Sequence, residues 1–225
     1  DECRELAERG NRFGVKEQKC VKTHGFMGGR AVSGEIPLLE ARDVSLSFRG
    51  VRALRHVDLS VSRGELFSII GPNGAGKTSM LNCISGRYTP TEGQILLDGD
   101  DVMAMRPGRV RAVRWSEMAI VFQGALHALN PVQRVGDQIG EAIELHDDPG
   151  SAEVKRRVGE LLEQVGLTSR RARDYPHQMS GGQRQRVMIA MALACDPRVL
   201  IADEPVTALD VMVQAQVLNL LAELQ

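Results

Sequence analysis

The segment Gly71-Pro72-Asn73-Gly74-Ala75-Gly76-Lys77-Thr78-Ser79 contains the spacing G-x-x-x-x-G-K-[ST], the pattern of a phosphate-binding loop. Its glycines let the backbone turn tightly and leave the N–H groups open to phosphate oxygens. A lysine at position 77 reaches β- and γ-phosphates, and the Thr78 hydroxyl is of the type that holds Mg²⁺. The chemistry is binding of a nucleotide's phosphates together with Mg²⁺. A second constellation is the apolar run Val199-Leu200-Ile201-Ala202 ending in Asp203-Glu204. Such a strand sets carboxylates at the sheet edge where α/β folds bind ligands. Asp203 suits Mg²⁺, and Glu204 suits a general base acting on water. A solvated acidic strand end is the plainer alternative for a lone pair of acids. A third constellation, Met179-Ser180-Gly181-Gly182-Gln183-Arg184-Gln185-Arg186, opens a helix with Ser180 as its cap and two glycines that leave amides uncovered.

Elements of matching type must hold these groups. Leu66–Ile70 is a short apolar run before the glycine loop, and Met80, Leu81 and Ile84 form one helical face after it, closed near Gly86. That order, strand then loop then helix, is the one a phosphate loop requires, and the helix N-terminus adds positive potential. Upstream, Leu39–Phe48 and Val57–Val61 alternate apolar and polar residues, a strand signal, with turns at Arg49-Gly50 and Arg63-Gly64-Glu65. Gln94–Leu97 and residues 117–123 read as further strands. Residues 124–180 change period: Ile139, Ala142, Ile143 and Val154, Val158, Leu161, Leu162, Val165 recur at helical spacing. A helix over 181–194, a strand over 199–202 and a helix over 211–224 follow. Alternating strands and helices argue for an α/β sandwich around a largely parallel sheet. Residues 1–36 have the polar, glycine-spotted composition of a flexible arm.

Composition bounds the function. Hydrophobic residues are 43% and charged residues 25%, ordinary values for a globular chain. The formal net charge of -1 gives no reason to expect a nucleic-acid partner, and 4% aromatics argue against base-stacking platforms. The longest apolar run, Val187 to Cys195, is about half of what a membrane-spanning helix needs. Residues 1–30 lack the apolar block of a signal peptide. Cys3, Cys20, Cys83 and Cys195 are scattered, which fits a reducing compartment and not a zinc or disulfide framework.

In this order, the glycine loop, the MSGGQ segment and the LIADE strand resemble the ATP-binding cassette (ABC) ATPases over about residues 38–225. The resemblance implies a P-loop NTPase (RecA-like) core with an antiparallel β edge and a helical subdomain. The core would comprise 37–123 and 181–225, and the helical subdomain 124–180. It further implies that Phe48 stacks on adenine, unless it is an ordinary strand phenylalanine. Gln123 would be the glutamine that senses Mg²⁺, water and the membrane partner. Asp210, within Ala208-Leu209-Asp210, would bridge two cassettes, or simply cap a helix. In this family two cassettes face head to tail, so Ser180, Gly181, Gly182 and Gln183 of one would meet the ATP held by the other. A second ATPase subunit, two membrane permease subunits and, indirectly, an extracytoplasmic solute-binding protein are the implied partners. The implied location is peripheral, on the cytoplasmic face of the membrane. Two departures stand out. The family's switch histidine lies beyond the Asp210 helix, yet His24, His56, His127, His146 and His177 all precede it. The expectation is a chain truncated at its C-terminus, whose turnover in this form is open. Val206 also stands where Thr or Ser is frequent.

Subfamily features are mixed. Val121–Val132, Tyr175-Pro176-His177-Gln178 and the stretch from Arg184 through Val211 resemble the dipeptide and oligopeptide importer ATPases. Leu66–Gly86 resembles the branched-chain amino-acid importer ATPases instead. The peptide reading is favoured, because the resemblance implies that the Gln123 loop and the helical insert contact the membrane subunits and so define the subfamily better. DNA-repair and chromosome-type ABC ATPases insert coiled coils or zinc modules between loop and signature; here Gly71 and Ser180 are only about 110 residues apart, without heptads or cysteine pairs. A translation-factor reading needs a second cassette, and a nucleotide-binding module without turnover is the remaining rival.

Overall fold

The structure, a computed structural model, describes residues 19–22, 36–48, 50–105, 108–109, 113, 116–121, 128–147, 149–206 and 209–224. The chain divides into two compact units, one reaching to Val110 and one spanning Arg111–Leu224.

The first unit is built on a four-stranded antiparallel sheet of order β3-β2-β5-β6. Its strands are β2 (Leu39–Phe48), β3 (Val51–Val61), β5 (Glu92–Leu97) and β6 (Asp100–Asp101). β2 and β3 form a hairpin in register Leu39↔Val61 and Phe48↔Val51, turned at Gly50 with φ 88°. Alternation along β2 is not strict. Leu39 and Ala41 are buried, then Val44 and Leu46, so one extra residue intervenes. Asp43 absorbs it with φ 53°, and the pairing shifts register there. This is a β-bulge, and it keeps all four apolar side chains on the core face. Gly93 makes the bulge possible: a Cβ there would lie 2.3 Å from the Asp43 carbonyl oxygen. β4 (Phe67–Ile70) leads through the glycine loop into α1 (Lys77–Ile84), whose Met80, Cys83 and Ile84 are buried. β4 pairs in parallel with β1 (Lys19–Lys22), in register Lys22↔Ile70. Four residues of the polar arm are thus a strand, which its composition does not suggest.

The second unit has a parallel pair, β7 (Met118–Val121) and β8 (Val199–Ala202), in register Met118↔Val199. Around it lie α2 (Val135–Asp147), α3 (Ser151–Gln164), α4 (Gly181–Leu193) and α5 (Val211–Glu223), with 3₁₀ turns at Ser169–Arg173 and Pro176–Gln178. One core joins Val121 of β7 to Ile139 and Ile143 of α2, Val158 and Leu162 of α3, Val187 and Ile189 of α4, and Val217 and Leu220 of α5. Each such side chain contributes about 1.5–3 kcal/mol by leaving water. On α3, Arg156 pairs with Glu153 at 2.6 Å and also with Glu160 one turn on. The Arg156 hydrogen bond holds the Glu153 carboxyl below the usual carboxylate range. Among the described residues, no helix is long and apolar enough to cross a membrane.

Candidate functional site

In the first unit, β4 delivers the chain to Gly71 and α1 begins at Lys77. Gly74 and Gly76 take φ 82° and 88°, a left-handed conformation that side chains rarely adopt. Gly76 is held to glycine twice over, because a Cβ would also meet the Ala53 carbonyl oxygen at 2.6 Å and Leu54 Cδ2 at 2.9 Å. The loop is closed by Ala75 N–H donating to the Pro72 carbonyl at 3.1 Å. Lys77 folds back over it and donates from Nζ to the Gly71 carbonyl at 2.8 Å and the Pro72 carbonyl at 3.1 Å. The ammonium is thus held across the loop. No side chain caps α1, and its first turn holds no acid. The positive end of the helix, with no acid in its first turn, favours an anion. Asn73 is exposed at the loop tip and Ser79 half-buried in the first helical turn.

Phe48 closes β2 with 43% of its surface exposed. Its ring meets Tyr88 edge-on, centroids 5.1 Å apart and planes at 75°. Tyr88 follows α1 and is anchored by its N–H to the Asn82 carbonyl at 2.9 Å. Tyr88 has no motif around it and escapes sequence reasoning. Its one signal is scarcity, since the chain has only two tyrosines.

In the second unit, β8 is followed by Asp203, which is 7% exposed and whose N–H donates to the Val121 carbonyl at 2.9 Å. Glu204 then turns into the left-handed region, φ 48°. A glutamate has no local preference for that conformation, and such a conformation costs about 1–3 kcal/mol. Ser180 caps α4 in a reciprocal box: its Oγ accepts from Gln183 N–H at 3.3 Å, and Gln183 Oε1 accepts from Ser180 N–H at 3.1 Å. Gly181 meets Leu209 Cδ2 at ordinary contact distance from a hypothetical Cβ, 3.5 Å. Gly182 is buried against α5. Asp210 caps α5, accepting from Val213 N–H at 3.1 Å. Within this chain Asp210 is thus a helix cap. Gln185 is 4% exposed, and its amide nitrogen finds no acceptor among the described residues. Gln123 and Ala208 lie outside the described residues.

Each unit thus assembles part of the expected machinery. The first holds Phe48, the loop from Gly71 to Gly76, Lys77, Thr78 and Ser79, and the second holds Asp203, Glu204, the Ser180–Gln183 turn and Asp210. Residues 54–207 match the family model described as ABC transporter. The chain is 42% identical over 198 residues to the oligopeptide transport ATP-binding protein OppD of Lactococcus lactis subsp. cremoris, a match covering 84% of this chain and 59% of that protein. It is 42% identical over 182 residues to the dipeptide transport ATP-binding protein DppD of Bacillus subtilis, covering 78% of this chain and 54% of that protein. The chain thus spans little more than half the length of these curated relatives. Among solved structures, a dimeric bacterial ABC transporter cassette, MJ0796, superposes with TM-score 0.73 at 31% identity, covering 81% of each chain. CbiO1 of Clostridium perfringens, part of the ABC transporter complex cbiONQ, superposes with TM-score 0.76 at 30% identity, covering 84% of this chain and 74% of that one. With loop, acidic strand and signature turn in the family's order and the ABC cassette fold around them, the chain belongs to the ABC transporter family.

Proposed function

We propose that this chain is the ATP-binding and ATP-hydrolysing part of an ABC transporter that imports peptides. The observation that carries the nucleotide reading is the uncapped N-terminus of α1 behind a glycine loop, with Lys77 Nζ fixed 2.8 Å from the Gly71 carbonyl. Gly71, Pro72, Asn73, Gly74, Ala75 and Gly76 wrap the phosphates with backbone N–H groups, and Lys77 reaches the terminal ones. Phe48, braced by Tyr88, offers its exposed face to adenine. The Thr78 hydroxyl, the Asp203 carboxylate and the Gln123 carbonyl are hard oxygen donors of the kind Mg²⁺ selects. When bound, Mg²⁺ neutralises charge building up on the phosphate oxygens. Glu204 takes a proton from the attacking water as general base. Ser180, Gly181, Gly182 and Gln183 serve the nucleotide of a second cassette, with Asp210 between the two.

The peptide assignment is supported by the names of the relatives, which favour it over the branched-chain amino-acid reading suggested by Leu66–Gly86. The partners are then a second cassette, two permease subunits and a solute-binding protein, with the chain peripheral on the cytoplasmic face. The proposed parts are a nucleotide-binding core over 37–123 and 181–225 and a helical subdomain over 124–180. The test is Glu204→Gln in the full-length protein assembled with its permease. Positioned general bases contribute about 10²–10⁴-fold, so phosphate release falls by at least about a hundredfold while ATP binding persists. An unchanged rate removes Glu204 from the mechanism, and unchanged ATP affinity in Lys77→Ala removes the loop from it.

A further inference from the structure

The Ser180 turn packs against the Asp210 turn and the first turn of α5. A Cβ built on Gly182 would lie 2.3 Å from Val213 Cγ1, with Val213 Cβ at 3.6 Å and Cγ2 at 3.7 Å. Carbon atoms in contact sit about 3.5–4.0 Å apart, so an added methyl does not fit. Valine in a helix is held to one strongly preferred rotamer, so Cγ1 has little freedom to swing away. Val213 is itself tied to the turn before it. Its N–H donates to Asp210 Oδ1 at 3.1 Å. The next residue, Gln214, donates from Nε2 to the Leu209 carbonyl at 3.0 Å and the Val206 carbonyl at 3.4 Å. One turn further along both helices, Arg186 Nη2 donates to Gln216 Oε1 at 3.2 Å, while Arg186 Nη1 holds the Val165 carbonyl at 2.9 Å.

We propose that position 182 is glycine because α5 packs against it, and that Val213 is a positioning residue that fixes the Ser180–Gln183 turn to the Asp210 turn within one chain. Gly182 then has a second task beside leaving its amide open to a phosphate: it lets α5 approach closely enough for the turn after the acidic strand and the signature turn to move as one piece. The inference deepens the reading given above and rests on it for its kinetic arm alone.

The experiment compares Gly182→Ala, Val213→Ala and the double variant in the full-length protein assembled with its permease, reading ATP KM, kcat and melting temperature. Gly182→Ala forces the 2.3 Å approach open by about an ångström, shared between the turn and α5, for which a loss of at least about tenfold in kcat is expected, with a lower melting temperature. Val213→Ala is the baseline for the double variant. Removing Cγ1 makes room for the new methyl, so the double variant recovers kcat and melting temperature to within about twofold and about 1 °C of that baseline. A double variant as slow as Gly182→Ala alone, or a Gly182→Ala protein equal to the parent in both measures, overturns the inference. A parent without ATP hydrolysis defeats the functional reading instead, and the melting temperatures of the four proteins still decide this one.

Discussion

Gln138 is a buried polar residue on α2, 6% exposed, and its side chain organises the loop before that helix. Its Oε1 accepts from Asn130 N–H at 2.9 Å, and its Nε2 donates to the Asn130 carbonyl at 3.1 Å and the Gln133 carbonyl at 3.0 Å. Those bonds fold residues 130–133 around one amide and leave Val132 at the tip, 81% exposed. Replacing Gln138 by Leu keeps the side-chain size and removes the three bonds. At about 1 kcal/mol net for each bond, the loss is about 3 kcal/mol. The buried leucine returns about 1 kcal/mol by leaving water, so the net cost is about 2 kcal/mol. For a chain of this size that is about 4–8 °C in melting temperature. Urea titration followed by circular dichroism reads the same loss as a lower midpoint at unchanged slope. Gln138→Glu sharpens the test. An ionised carboxylate keeps the bond from Asn130 N–H but sets an oxygen against two carbonyls, so it costs more at pH 7 than at mildly acid pH, where protonation restores a donor. A Gln138→Leu protein within about 0.5 kcal/mol of the parent refutes the claim that this amide holds the loop.

Cys83 is fully buried on α1, and burial pushes its thiol up from 9.0 to about 11. Native-state alkylation read by peptide mass spectrometry therefore leaves Cys83 unlabelled at pH 8 and labels it after unfolding; equal labelling in both states contradicts the packing of α1. The folded thiol is the weaker acid, so its contribution to stability is complete below pH 9.0 and lost as pH rises towards about 11. Ser180→Ala removes the cap of α4 and lowers stability by about 1 kcal/mol. Ser180→Asp keeps the cap, so its melting temperature stays near the parent's, while a carboxylate beside the proposed phosphate weakens ATP binding by cooperating cassettes. An aspartate variant that binds ATP as the parent does removes Ser180 from the nucleotide site.

The glycine loop is legible because its chemistry is local: left-handed turns at Gly74 and Gly76 and a lysine one residue on are fixed by sequence order alone. β2 is legible from its alternation, although the extra residue at Asp43 interrupts the strict pattern read from Leu39. The first half of β3 is not. Val51, Arg52, Arg55 and His56 are exposed, Leu54 alone is buried there, and His56 takes φ 45°, so no strict alternation survives over Val51–His56. β1 is harder still, because its pairing with β4 uses backbone groups that every residue carries. Helical spacing over 124–180 identifies α2 and α3, but periodicity names an element and not the core that covers it. Their apolar faces close on the same core as α4, α5 and β7, a fact that depends on contacts far apart in sequence. Gly182 is the sharpest case. Its amide is readable from the MSGGQ segment, whereas its contact with Val213 lies 31 positions away in sequence.

The places where local preference is overridden are informative in themselves. Among the described residues, the non-glycine residues with positive φ are Asp43, His56, Asp98, Asp196 and Glu204. The aspartates tolerate the left-handed region, and Asp98 sits in the Asp98-Gly99 turn joining β5 to β6. Asp43 and His56 belong to the irregular stretch of the β2–β3 pair, where Asp43 Oδ1 and His56 Nδ1 lie 2.7 Å apart and hold each other. Glu204 has no comparable excuse of residue type. It stands one residue after Asp203, whose N–H is held by Val121, so the strand fixes the position from which the backbone must turn. An asparagine or glycine would adopt that backbone conformation at lower cost. A residue of the wrong type for its backbone, directly following a buried acid at the carboxyl end of a parallel strand, is a position to test for function. The sequence proposes Glu204 as the base from its neighbours, and the left-handed backbone at the same residue is a second reason to test it.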